Sequence, residues 1–124
     1  MLVLNKEDVR RLTEPLEMMK DLVDALFLYE EGAVTMPPRM HADFESGTLL
    51  LMPCYGGDYF CTKMVSVCPE NPSRGLPTIF GSVVLNDGRT GKPLCLIEGS
   101  QLAAHRTGAV GGIGIRMTTP VHIE

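Results

Sequence analysis

The stretch HRTGAVGGIGIRM, residues 105 to 117, decides how this chain is read, because it gathers four of the thirteen glycines. A dinucleotide-binding loop sets glycines at i, i+2 and i+5, directly after a strand and at the opening of a helix, with an acidic residue about 20 positions on. Here Gly112 and Gly114 supply the first two, Met117 stands where the third belongs, and only seven residues follow. A phosphate loop fails as well, since no Gly-Lys-Ser/Thr comes at the required spacing. Leu102, Arg106, Ala109, Val110 and Ile113 instead share one helical face. Interior glycines cost a helix roughly 1 kcal/mol each against alanine. The segment therefore predicts a glycine-rich helix held by close packing, with the face that bears Arg106 buried against a neighbour.

Upstream of it, GTLLLMP, DYFCTKMVSV, PTIFGSVVLND and PLCLIEG are β-rich runs separated by CYGG, CPENPSRGL and DGRTGK, which carry turn chemistry. Asp87-Gly88 begins a hairpin connection, so the last two strands should be antiparallel neighbours. The proline-rich CPENPSRGLP reads as an exposed loop. At the N-terminus MLVL reads as a short strand, and Asn5 with Asp8 as a capped helix start running to about Leu12. A second helix follows, with Thr13 as its cap, Pro15 in its first turn, an apolar stripe of Leu16, Met19, Val23, Leu26 and Phe27, and Gly32 as a left-handed end. The fold class expected is α+β: N-terminal helices packed on a mainly antiparallel sheet, with a glycine-rich C-terminal helix, all in a single domain over residues 1–124.

A chain of 124 residues with 44% hydrophobic and 21% charged side chains is of globular composition, and its net charge of −4 gives no electrostatic footprint for nucleic acid or an anionic membrane. No apolar run has the length of a signal peptide or a membrane span, which leads to a cytoplasmic expectation. The cysteines at 54, 61, 68 and 95 form no C-x-x-C pair and the histidines at 41, 105 and 122 are scattered. Reduced, buried thiols in strands are expected, with no metal site.

Three cations occupy unusual surroundings. Arg39 follows Pro37-Pro38, which stiffens the backbone before it. Lys63 lies within a strand and by period two shares its face with Cys61, Val65 and Val67. Arg106 stands on the apolar face of the glycine-rich helix. Two arginines can hold a carboxylate through paired, charge-assisted hydrogen bonds, and a lysine on an apolar face is pushed toward its neutral form, where it can act as a general acid or base.

The blocks MPPRMH, GTLLLMP, TKMVSVCPENPSRGLPT and TGKPLCLIEGSQLAAHRTGAVGGIGI, in this order and spacing, resemble the N-terminal half of the ornithine cyclodeaminase and mu-crystallin family, from MLVLNKEDV to about Ile115. The resemblance implies an α+β substrate-binding and dimerisation domain that precedes a Rossmann domain for NAD(H) or NADP(H). Family members transfer hydride at the α-carbon of an amino acid or cyclic imine, as ornithine cyclodeaminases, alanine dehydrogenases or ketimine reductases. It places Arg39 and Arg106 on the carboxylate-binding arginines, Lys63 on the catalytic and substrate-contacting lysine, and Thr78 and Thr107 at the cofactor edge. The glycine-rich stretch becomes the close-packed helix that leads to the interdomain cleft.

Two departures stand out. Leu50 replaces a glutamate of the ornithine-specific members, which favours a small apolar amino acid or a cyclic imine. The chain also stops at TTPVHIE, about where the Rossmann half should begin. It is therefore expected to act as a substrate domain, homodimeric and not catalytic alone, with a separate Rossmann-domain chain as a further partner. The alternatives are a non-catalytic carboxylate-binding or assembly module, or one half of a split ketimine reductase or alanine dehydrogenase.

Overall fold

A computed structural model describes residues 1–119. His122 and most of the TTPVHIE stretch lie outside the described residues. The chain forms β1 (Leu2–Leu4), α1 (Lys6–Leu12), α2 (Pro15–Glu30), β2 (Val34–Thr35), β3 (Met40–Phe44), β4 (Gly47–Gly56), β5 (Tyr59–Val67), a 3-10 turn (Asn71–Arg74), β6 (Ile79–Asp87), β7 (Pro93–Glu98) and α3 (Gly99–Thr118). Seven strands make one sheet in the order β1-β7-β6-β5-β4-β2, with β3 also paired to β4. All neighbours are antiparallel except β1 and β7, where Leu2 stands beside Cys95 and Leu4 beside Ile97 in parallel register. This is the α+β architecture that the sequence predicts.

The α1 start follows from local chemistry. The Asn5 side chain accepts from the amides of Glu7 and Asp8 while Asp8 reaches back to the Asn5 amide, so both ends of a capping box are closed. Thr13 does not cap α2. It ends α1, where its hydroxyl donates to the Val9 carbonyl at 2.8 Å, and Glu14 caps α2 by accepting from the Glu17 amide. A carboxylate at that position also suits the positive end of the helix dipole. Gly32 takes the left-handed conformation expected of it, at φ 76°.

The core lies between α3 and one face of the sheet. Paired residues across antiparallel strands project to the same side. The pairings of Lys63 with Val83, Val65 with Gly81, Val83 with Ile97 and Leu85 with Cys95 therefore define a single face. α3 seats on that face at Gly99, where an added Cβ would stand 2.7 Å from the Gly81 carbonyl carbon and 2.8 Å from the Ser82 amide. Val65, Cys95, Ala109, Ile113 and Val9 of α1 are buried there. The N-terminal helices reach the sheet mostly through α3: α2 lies along it, and α1 packs on it and on β1 and β7.

Several sequence expectations need correction. Of the glycines at 108, 111, 112 and 114, only Gly112 meets a neighbour, the Met19 side chain at 3.3 Å; the others face open space. Close backbone approach is made by Gly99 and Gly81, outside the glycine cluster. The face bearing Arg106 is buried at Ala109 and Ile113, but Arg106 itself is exposed, because a long cationic side chain extends past the packed row to water. The α2 stripe is split: Met19 and Val23 are half-buried, while Leu16, Leu26 and Phe27 are each more than half exposed, since α3 covers only one side of the helix. CPENPSRGLP contains an ordered 3-10 turn, with Asn71 buried and its amide donating to the Pro77 carbonyl at 2.9 Å. Of the four cysteines only Cys95 is buried, the others being half-buried, and Cys68 lies just past β5. β2 and β3 escape the sequence reading because they are short: MHADF alternates apolar and polar residues but runs for only five positions, all exposed, and β4 supplies the edge it pairs with.

Candidate functional site

Lys63 occupies the middle of β5, opposite Met52 of β4 and Val83 of β6. The register turns it to the α3 side of the sheet, beside buried Val65; a shift of one residue would have turned it away. Half-buried among apolar side chains, its ammonium loses hydration, which draws its pKa below the ordinary lysine value. The charges of Arg106 and then Arg39 act in the same direction, so both guanidiniums stand within electrostatic reach of one ammonium.

The topology explains how residues 39, 63 and 106 meet. His41 of β3 pairs with Leu50, and Leu50 with Val65, which places His41 on the Lys63 face. Arg39 lies two positions before it, just ahead of β3, and its charge reaches Lys63. Arg106 lies seven residues, about two turns, beyond Gly99, on the side of α3 that carries Ala109 and Ile113. The strand edge thus delivers one guanidinium and the covering helix the other, with the lysine on the sheet below.

Among the described residues the ion pairs are Arg10 with Glu7 and Arg11 with Asp8, both within α1. No carboxylate of the described residues lies within ion-pair distance of Arg39, Lys63 or Arg106. Three like charges held together by the fold without an anion make a site that an incoming carboxylate stabilises.

Thr78 and Thr107 are less tied to this group. Thr78 is half-buried just before β6, and its carbonyl accepts from the Cys68 amide at 2.8 Å, which fixes the loop that carries it. Thr107 is exposed on α3, and as the neighbour of Arg106 it points about 100° away around the helix. Leu50 lies on the Lys63 face, two positions from Met52, and adds apolar rather than charged surface there.

Sequence reading missed the anchorage of Arg106. His105, the preceding residue, contacts the Thr13 hydroxyl through Nδ1 and the Gln101 side-chain amide through Nε2, the latter at 2.6 Å. Because the Thr13 hydroxyl already donates to Val9, His105 Nδ1 donates to Thr13 and Nε2 accepts from Gln101. This chain pins the end of α1 to the middle of α3. The i, i+4 spacing of Gln101 and His105 was visible in the sequence, but the Thr13 contact spans 92 positions and was not.

Comparison with known proteins gives a family model, "Ornithine cyclodeaminase/mu-crystallin family", matched by residues 1–121. An alanine dehydrogenase of Archaeoglobus fulgidus is 37% identical over 115 residues, which are 93% of this chain and 36% of that protein. Among solved structures, an archaeal alanine dehydrogenase dimer with bound NAD superposes with a TM-score of 0.88 at 37% identity, covering 94% of this chain and 36% of that one. The Thermococcus litoralis Delta(1)-pyrroline-2-carboxylate reductase in complex with NADH and L-proline gives 0.86 at 36% identity, covering 94% and 37%. The chain thus spans a little over a third of the length of these relatives.

Proposed function

The chain belongs to the ornithine cyclodeaminase/mu-crystallin family, and on that footing we propose that it forms the substrate-binding and dimerising part of a nicotinamide-dependent enzyme that acts at the α-carbon of a small amino acid or the corresponding cyclic imine. The observation that carries this reading is the unpaired trio: a lysine whose pKa is lowered by burial and by two guanidiniums, with no described carboxylate to neutralise them. In this reading Arg39 and Arg106 grip the substrate carboxylate and fix its orientation. Lys63 gives a proton to the substrate nitrogen as an imine becomes an amine, and takes it back in the opposite direction. Leu50 on the same face favours an apolar substrate body over one with a distal amine.

A bound nicotinamide would supply or accept the hydride, with Thr78 and Thr107 toward its edge. The described residues do not build a cradle for its phosphates. Gly108, Gly111, Gly112 and Gly114 all lie inside α3, where backbone amides bond to carbonyls one turn back rather than to an anion. That cradle must come from further sequence or from a separate nucleotide-binding chain. The lack of such a cradle among the described residues also leaves a second reading, a carboxylate-binding or assembly module without hydride transfer.

The homodimer is proposed through the sheet face opposite α3, where Leu49, Met64, Ser66, Phe80 and Ser82 line a shallow groove and Met64 and Phe80 are each 45% exposed. The relative solved with NAD is a dimer.

Calorimetric titration of L-proline and L-alanine into the protein tests the site. Saturable binding is expected, weakened roughly tenfold or more in Arg39→Ala, as for a lost charge-assisted hydrogen bond. No heat with either ligand removes the proposal. Adding a nucleotide-binding chain of the family with NADH or NADPH and a cyclic imine then separates the readings: hydride transfer supports the enzyme, and carboxylate binding without turnover the module.

A further inference from the structure

β4 and β5 are joined through Gly57 and Asp58, with Gly57 left-handed at φ 59°, and the pairs back from this turn are Gly56 with Tyr59, Tyr55 with Phe60, and Cys54 with Cys61. In a two-residue hairpin the pair that closes the turn exchanges both hydrogen bonds, and such pairs alternate along the ladder. Cys54 and Cys61 are therefore a directly opposed, hydrogen-bonded pair on the Lys63 face. Both are half-buried, and both line an apolar cavity of about 600 Å³ beneath α2, together with Leu22, Leu26, Tyr29 and Met36. The other cysteines lack such a partner: Cys95 stands between Leu85 and Leu2, and Cys68 lies outside the strands.

We propose that Cys54 and Cys61 form a paired-thiol site that captures a trivalent arsenic compound, bridging β4 to β5 at the floor of the α2 cavity. Geometry favours this over a direct disulfide. Opposed residues at a hydrogen-bonded pair hold their Cβ atoms about 5.5 Å apart, whereas a disulfide needs roughly 3.8 Å; an arsenic atom between the sulfurs lengthens the bridge. Burial, and then the neighbouring Cys54, push the Cys61 thiol above its ordinary range, so the thiolate that oxidation requires is scarce. Capture by an organic arsenoxide consumes neutral thiols. Two arsenic–sulfur bonds form, and the oxygen on arsenic leaves as water with the two thiol protons. Arsenic stays trivalent, and nothing is oxidised or reduced. The apolar cavity suits an aryl substituent, and the bound group stands two residues along β5 from Lys63.

The experiment adds phenylarsine oxide to the intact protein, reads adduct mass and remaining free thiols, and maps the adduct by proteolysis. One arsenic per chain with loss of two thiols, mapped to the peptides that hold Cys54 and Cys61, is expected. Cys54→Ser and Cys61→Ser should each weaken capture roughly a hundredfold, the advantage lost with a second tethered thiol, while Cys68→Ser leaves it unchanged. Capture mapped to Cys68 or Cys95, or retained at full strength in either single variant, overturns the proposal. The wild-type mapping decides the question even if a variant does not fold.

Discussion

β5 presents two rows of side chains in different surroundings. Cys61, Lys63 and Val65 face α3, with Val65 buried, whereas Thr62, Met64 and Ser66 face a side of the sheet that no described helix covers, with Met64 exposed; the remaining four are half-buried. Strand propensity is alike in the two rows, so the difference comes from what the rest of the chain places on each side. The covered face also carries the three cations, because only there can a helix hold Arg106 over the sheet while an edge segment delivers Arg39. The bare face has apolar groups and no opposing cover, which is the composition of an interface.

The largest test of this contrast removes the cover. Gly99→Val drives a side chain into the Gly81 and Ser82 backbone, neither of which can yield. A loss of about 3 kcal/mol or more is expected, read as a lower denaturation midpoint; an unchanged midpoint would mean that α3 is not seated there. Next, the two rows can be compared directly. Val65→Ala should cost about 2 kcal/mol through lost burial and a residual cavity, while Met64→Ala in the monomer should stay within about 0.5 kcal/mol. Equal losses in urea unfolding would erase the distinction between the faces. Should the bare face dimerise, Met64→Glu would convert dimer to monomer in light scattering with the fold intact.

The smallest effect concerns Lys63. Its folded pKa lies below the ordinary 10.5 because the charged form is disfavoured by folding. That cost is present in full below the lowered folded value and lifts as pH climbs toward 10.5, so the group makes stability rise with pH across that window. Lys63→Met should lack this rise, and a wild-type profile parallel to that of the variant would show that the lysine is not perturbed.

The long elements were legible in the sequence because local signals agreed with tertiary placement. The Asn5/Asp8 box, the four runs from GTLLLMP to PLCLIEG and the left-handed Gly32 all appear as read. Arg39, Lys63 and Arg106 were legible as cations out of place, yet their convergence depends on strand register and on β3, a short, exposed segment that pairs along the edge of β4. The cluster at 108–114 misled because glycine in a sequence signals close approach, and here the approach is made by the single residue Gly99 against Gly81. Cys54 and Cys61 looked unrelated at a spacing of seven, since a hairpin pairs residues by distance from its turn and not by proximity in the chain.

β1 completes the sheet by lying parallel to β7, its partners about ninety residues later in the chain. At ordinary elongation rates the ribosome takes on the order of ten seconds to make that interval. Throughout it, Leu2, Val3 and Leu4 have no strand to join, and once β7 exists its outer edge stays open until they arrive. The parallel edge pairing is thus the slow, entropically expensive closure of this fold, and an N-terminal extension that delays it would leave a sticky sheet margin exposed during synthesis.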